Sequence, residues 1–144
     1  MRKVKHHARV FAVADRLHSA AIHLLRRVRR HDAASGVGPA QLSALSVLVF
    51  AGPKTLGELA TAEQVKPPTM SRIVAGLKRN RLIAITRDPR DARRTHIRAT
   101  PQGTRLLQQA RGRRIASLAA SLDHLGADEL VQLGAVCHIL EELR

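Results

Sequence analysis

Tryptophan and tyrosine are missing from this 144-residue chain, and phenylalanine occurs only at Phe11 and Phe50. Proteins that hold unstacked bases do so largely on aromatic side chains, so this mode of nucleic-acid binding is disfavoured from the outset. The single cysteine, Cys137, excludes an intramolecular disulfide and fits a reducing compartment. Its neighbours have the pattern of a helix face, which predicts a small buried apolar residue rather than a redox sensor. No apolar run approaches the ~20 residues that span a bilayer. The basic N-terminus, MRKVKHHARVFAVAD, spaces its apolar residues and interrupts them at Asp15, unlike a secretory signal. A soluble, cytoplasmic protein is the expectation.

Acidic residues are also scarce: 11 stand against 25 Lys and Arg, for a formal net charge of +14. The distribution says more than the total. From Lys66 to Arg98 ten basic residues face only Asp88 and Asp91, a net +8, whereas from Ile115 onward Arg144 is the one base against Asp123, Asp128, Glu129, Glu141 and Glu142. A cationic surface on one part of a molecule is the footprint of a nucleic-acid binder. The plainer reading is an arginine-rich protein that is merely well solvated. At this length, with 44% hydrophobic residues, the chain is expected to form one domain, burying roughly 70% of its unfolded surface.

The apolar spacing organises that domain. Val4, His7, Phe11, Ala14, His18, Ala21, Leu25 and Val28 recur at steps of three and four and predict a long amphipathic helix over 4–30. HDAASGVG is a loop, and Gly38-Pro39 opens a second helix with proline at its first position. That helix is apolar through Leu42, Leu45, Val47, Leu48, Val49 and Phe50, and hence central; Gly52-Pro53 ends it. Thr55-Leu56-Gly57-Glu58 reads as a capping box before a short helix to about Glu63. Lys66-Pro67-Pro68 starts another, which runs to about Asn80, and two short helices across a tight turn suggest helix-turn-helix. LIAITR (82–87) and THIRAT (95–100) read as a β-hairpin. Thr100-Pro101 caps a helix to about Leu122, and Gly126 opens the last.

On the 66–80 helix, Met70, Ile73, Val74 and Leu77 fall on a core side. Pro68, Arg72, Ala75 and Arg79 fall opposite, flanked by Thr69, Ser71 and Gly76, with no acid among them. Small residues between arginines let a helix approach a groove closely while a few long arms form hydrogen bonds. Arg72 is the candidate base-edge contact, with Thr69 and Ser71 as phosphate or base partners. Lys66 sits at the expected N-cap, where Ser, Thr, Asp or Asn is preferred and a cation opposes the helix dipole. A lysine beside free backbone N–H groups favours a phosphate; the plainer alternative is a surface lysine pointing into water.

The hairpin tip, RDPRDARR (87–94), crowds four arginines around two aspartates. Together with QLSALSVL, TLGELA, PPTMSRIVAGLKRNRLI and the continuation THIRATPQG, it resembles the MarR-type winged helix-turn-helix regulators, most clearly over 40–105. In that family a wing ending in an Asp-x-Arg pair, here Asp91 and Arg93, precedes a Thr-x-x-Gly helix start, here Thr100 and Gly103. The resemblance implies a mainly α fold with a small β-hairpin wing: a single domain over 1–144, with its winged helix-turn-helix part at 38–100 and N- and C-terminal dimerisation helices at 4–30 and 101–144. A hairpin tip fits the minor groove, where narrowness concentrates negative potential and favours arginine. Arg93 is the first choice for that groove and Arg90 its rival, Arg87 and Arg94 are given to phosphates, and Asp91 is given the role of orienting a neighbouring guanidinium.

The function expected is a sequence-specific transcriptional regulator, a repressor, that binds double-stranded DNA as a homodimer on a pseudo-palindromic operator. The family often carries an effector pocket for a small anionic or phenolic compound, and no residue in the sequence identifies a ligand. The alternative is a sequence-indifferent chromatin-associated or RNA-binding basic protein. An enzyme would need a phosphate loop or a convergent triad, and neither is present. No cofactor or metal is expected; the i, i+4 spacing of His138 with Glu142 more often reflects chance on an acidic helix than a ligand pair.

Overall fold

The computed structural model describes residues 2–30, 32–87, 91 and 95–143. Six α-helices and one hairpin follow in the order α1 (Arg2–Arg29), α2 (Pro39–Phe50), α3 (Leu56–Ala62), α4 (Pro67–Arg79), β1 (Ile83–Arg87), β2 (Thr95–Ala99), α5 (Pro101–Leu122) and α6 (Ala127–Glu142), with a short 3-10 turn at Ala33–Ser35 between α1 and α2.

Helix α2 is the centre of the packing. Leu42, Ala44, Leu45 and Leu48 are buried on it, and it meets α3, α4, α5 and β2. Around it the core is completed by Leu59 and Ala60 of α3, Met70, Val74 and Leu77 of α4, Leu82, Ile83 and Ile97 at the hairpin base, and Leu107 and Ala110 of α5. Phe50, read as part of the central helix, lies at its C-terminal end and is 67% exposed.

The hairpin is antiparallel, with Ile83 opposite Ala99, Ile85 opposite Ile97 and Arg87 opposite Thr95. Side chains alternate across a strand, so Ile83, Ile85 and Ile97 share one face. Burial fades outward along it: Ile83 and Ile97 are buried, but Ile85 is exposed as the ribbon leaves the body. Lys54 pairs with the free edge of β2, its N–H donating to the Ile97 carbonyl at 3.0 Å and its carbonyl accepting from the Ile97 N–H at 2.8 Å.

The long flanking helices contribute little to this core. On α1, Val10, Phe11, Val13, Leu24 and Leu25 are exposed, and on α6 no residue is buried. Cys137, expected to be buried, is therefore exposed on this chain, because the helix that carries it packs nothing over its apolar face.

Candidate nucleic-acid interface

The helix-turn-helix is set by its ends. At Thr55 the hydroxyl accepts from the Glu58 N–H at 3.3 Å, while the Glu58 carboxylate accepts from the Thr55 N–H at 2.7 Å, the reciprocal box expected of T-x-x-E. Those bonds hold the Glu58 carboxyl below its ordinary value, with Lys54 and His96 adding smaller attractions. Helix α3 stops at a left-handed residue, Gln64 (φ 53), and α4 stops at another, Arg81 (φ 58). In both cases the following N–H reaches back five residues, Val65 to the Ala60 carbonyl and Leu82 to that of Leu77, each at 3.0 Å. This is the Schellman ending, usually supplied by glycine.

Helix α4 divides as its sequence predicts. Met70, Val74 and Leu77 are buried and Ile73 half-buried, whereas Lys66, Pro68, Thr69, Ser71, Arg72, Ala75 and Arg79 are exposed. Lys66 is the N-cap and makes no side-chain capping bond. Gly76 differs from expectation. It is buried, and a Cβ there would run into the Gln41 side-chain amide. Gln41 accepts from the Gly38 N–H at 3.1 Å, so the glycine admits the group that closes the start of α2.

On the wing, Arg87 ends β1 and is exposed, and Asp91 is exposed as well. Arg90, Arg93 and Arg94 lie outside the described residues. Two cations escaped the sequence reading. Arg98 is exposed on the face of the hairpin opposite the core-directed isoleucines, and Arg81 is exposed in its left-handed position at the end of α4. The strand register was the available signal for Arg98; Arg81 carried none, since arginine does not mark such a turn.

The wing is locked to the body by the Thr-x-x-Gly start of α5. The Thr100 hydroxyl donates to the Arg81 carbonyl at 2.8 Å and accepts from the Gly103 N–H at 3.1 Å, and the Thr100 N–H donates to the Leu82 carbonyl at 3.0 Å. A Cβ on Gly103 would collide with that Leu82 carbonyl. The two motif residues therefore fix α5 against the segment joining α4 to β1.

A cavity of about 370 Å³ lies between α1, α2 and α5. In its wall the Arg114 Nε donates to Asp32 Oδ1 at 2.6 Å, and the Asp32 side chain is only 3% exposed. The second Asp32 oxygen, Oδ2, is buried without a partner among the described residues. Arg29 and Arg111 line the same cavity. Nothing in the sequence linked Asp32 to a residue 82 positions away.

A helix-turn-helix followed by a two-stranded wing and bracketed by long helices defines a winged helix-turn-helix protein. The MarR family model matches residues 35–94. Over 117 residues the chain is 34% identical to an HTH-type transcriptional regulator of Mycobacterium bovis, covering 81% of this chain and 82% of the relative. It is 31% identical over 108 residues to the HTH-type transcriptional repressor MdtR of Bacillus subtilis, covering 75% and 68% respectively. Its fold matches a MarR family protein from Bacillus stearothermophilus with a TM-score of 0.82 at 26% identity, over 92% of this chain and 93% of that one. Wild-type MarR from E. coli shares the fold at a TM-score of 0.78 and 18% identity, over 88% and 94%. The chain belongs to the MarR family: it is a transcriptional regulator with a DNA-binding helix-turn-helix. That family consists of regulators, not enzymes. Among the described residues no helix is long and apolar enough to cross a membrane.

Proposed function

We propose that this regulator acts as a homodimer, binds a pseudo-palindromic operator in double-stranded DNA sequence-specifically, and represses by occupying the promoter. The observation that carries the reading is the exposed face of α4, which holds Lys66, Pro68, Thr69, Ser71, Arg72 and Arg79 and no acid. In this reading Arg72 reads a base edge in the major groove, Thr69, Ser71 and Arg79 contact bases or phosphates around it, and Lys66 takes a phosphate at the helix start. Pro68 keeps the approach close. Arg93 enters the minor groove with Arg90 as its rival, Arg87 and Arg94 hold phosphates, and Asp91 orients a guanidinium.

Dimerisation is supported by the uncovered apolar faces of α1 and α6, since single chains rarely leave so much large hydrophobic surface in water. On this reading the chain is one domain, with the winged part at 38–100 and the helices at 4–30 and 101–144 joining two copies. Two-fold symmetry then sets the recognition helices about one DNA turn apart, ~34 Å. A small-molecule effector in the cavity between α1, α2 and α5 would alter that spacing. Selection of bound genomic fragments by the purified protein tests the proposal. Enrichment of a palindromic site over random duplex by ~10³ or more supports it. Uniform recovery of all fragments identifies a sequence-indifferent binder instead.

A further inference from the structure

Helix α1 is cationic as well as apolar. Arg9, Arg16, His23 and Arg27 follow one another at steps of seven, seven and four residues, which at about 100° per residue keeps them within about 40° of one line along the helix. All four are exposed. Val10, Phe11, Leu17, Leu24 and Leu25 lie on the other side, and Asp15, the one acid of the helix, falls about 100° off the line. Arg9, Arg16 and Arg27 form no ion pair among the described residues. Two of the α6 acids are engaged at their own helix, Glu129 accepting from the Gly126 N–H at 2.9 Å and Glu142 meeting His138 at 3.4 Å. The stripe is also a separate surface from the α4 face, since α1 packs on α5 whereas α4 packs on α2, α3 and β1.

We propose that this stripe is a second, sequence-indifferent site for duplex DNA, which holds a segment other than the operator. It rests on the dimer reading in one respect: a second copy covers the apolar side of α1 and leaves the basic side facing outward. From Arg9 to Arg27 the helix rises about 27 Å, the length of about eight base pairs. Cations strung along such a line neutralise a row of phosphates, and phosphate contacts carry no sequence information. A lipid surface would need the apolar side free for insertion. Single strands would need aromatic side chains to stack on, and the stripe has no Phe, Tyr or Trp.

A capture assay with the full-length protein tests the inference. A selected operator duplex is immobilised and saturated with protein, and a labelled duplex of random sequence is then added in solution. Wild type should retain the second duplex. A chain carrying Arg9→Gln, Arg16→Gln and Arg27→Gln together should lose it by about tenfold or more while holding the operator within about twofold. The matching lysine triple should retain it, because neutralising a phosphate needs the charge and not the guanidinium shape. No second duplex on the wild type, or equal retention by the glutamine triple, would overturn the proposal. Retention of phosphatidylglycerol vesicles in place of the duplex would overturn it in favour of a lipid surface, and a glutamine triple that sediments as a monomer would give the stripe to acids of the partner copy. The first step reads the operator separately, and a monomeric wild type would overturn the dimer reading and this proposal together.

Discussion

At Gly76 and Gly103 the same absent methyl group has two different meanings. A side chain on Gly103 would meet the backbone carbonyl of Leu82, which the hairpin base cannot withdraw, whereas one on Gly76 would meet the flexible end of Gln41. Gly103→Ala should therefore cost roughly 2–3 kcal/mol of unfolding free energy and Gly76→Ala under about 1. Urea titration followed by far-ultraviolet dichroism measures both, since the chain has no tryptophan to report. Arg72→Ala should lower operator affinity by about 1–3 kcal/mol and relax base preference at one position; a uniform loss across sequences would make Arg72 a phosphate clamp. Arg93→Ala should weaken binding more than Arg105→Ala, and the reverse order in the same binding assay would remove the wing assignment. The Glu58 carboxyl is held below its ordinary 4.5 by the Thr55 bonds. Its charge stabilises the fold above that value and loses its contribution as pH falls through the lowered one. The stability gap between wild type and Glu58→Gln should thus be present near neutral pH and close on acidification.

Helix ends show how local chemistry was or was not written in the chain. The Thr55 box and Pro39, Pro67 and Pro101 at helix starts were legible because each depends on neighbours within four residues, and the hairpin because its two equal β-branched runs follow one another in the chain. The C-terminal ends were not, because Gln64 and Arg81 occupy left-handed positions that glycine usually marks. A left-handed L-residue costs ~1–2 kcal/mol, and glycine returns part of this as unfolded-state entropy. Arg81→Gly should therefore raise stability by about 0.5–1 kcal/mol in thermal or urea unfolding, while weakening DNA binding if the guanidinium meets a phosphate. The exposed arginines of α4 were equally legible, since a helical period sorts them from Met70, Val74 and Leu77. Gly76 fell on the wrong side because its burial is decided by Gln41, on another helix. The Asp32–Arg114 pair was invisible for the same reason, being a contact between distant segments.

Across the whole molecule two kinds of surface stand out. Cationic groups without intervening acids are exposed on α4, and bare hydrophobic side chains line α1 and α6, on α1 alongside exposed Arg9, Arg16, Arg26, Arg27 and Arg29. If the second surface joins two copies, Ile139→Glu, at a residue 57% exposed on this chain, should shift sedimentation from dimer to monomer and lower operator affinity without altering the unfolding of the winged part. If the first surface neutralises four or five phosphates in each copy, the logarithm of operator affinity should fall with the logarithm of salt at a slope of roughly −7 to −8. A slope near zero would dissociate the basic surface from DNA. Helix α5 links these regions: its first turn is clamped to the Arg81 and Leu82 carbonyls, and its 22 residues make a rod about 33 Å long. A tilt of about 5° at the clamp would sweep the far end of such a rod by ~3 Å, and if two copies are joined through the flanking helices, an angular change too slight to disturb a single hydrogen bond would be enough to put their half-sites out of step.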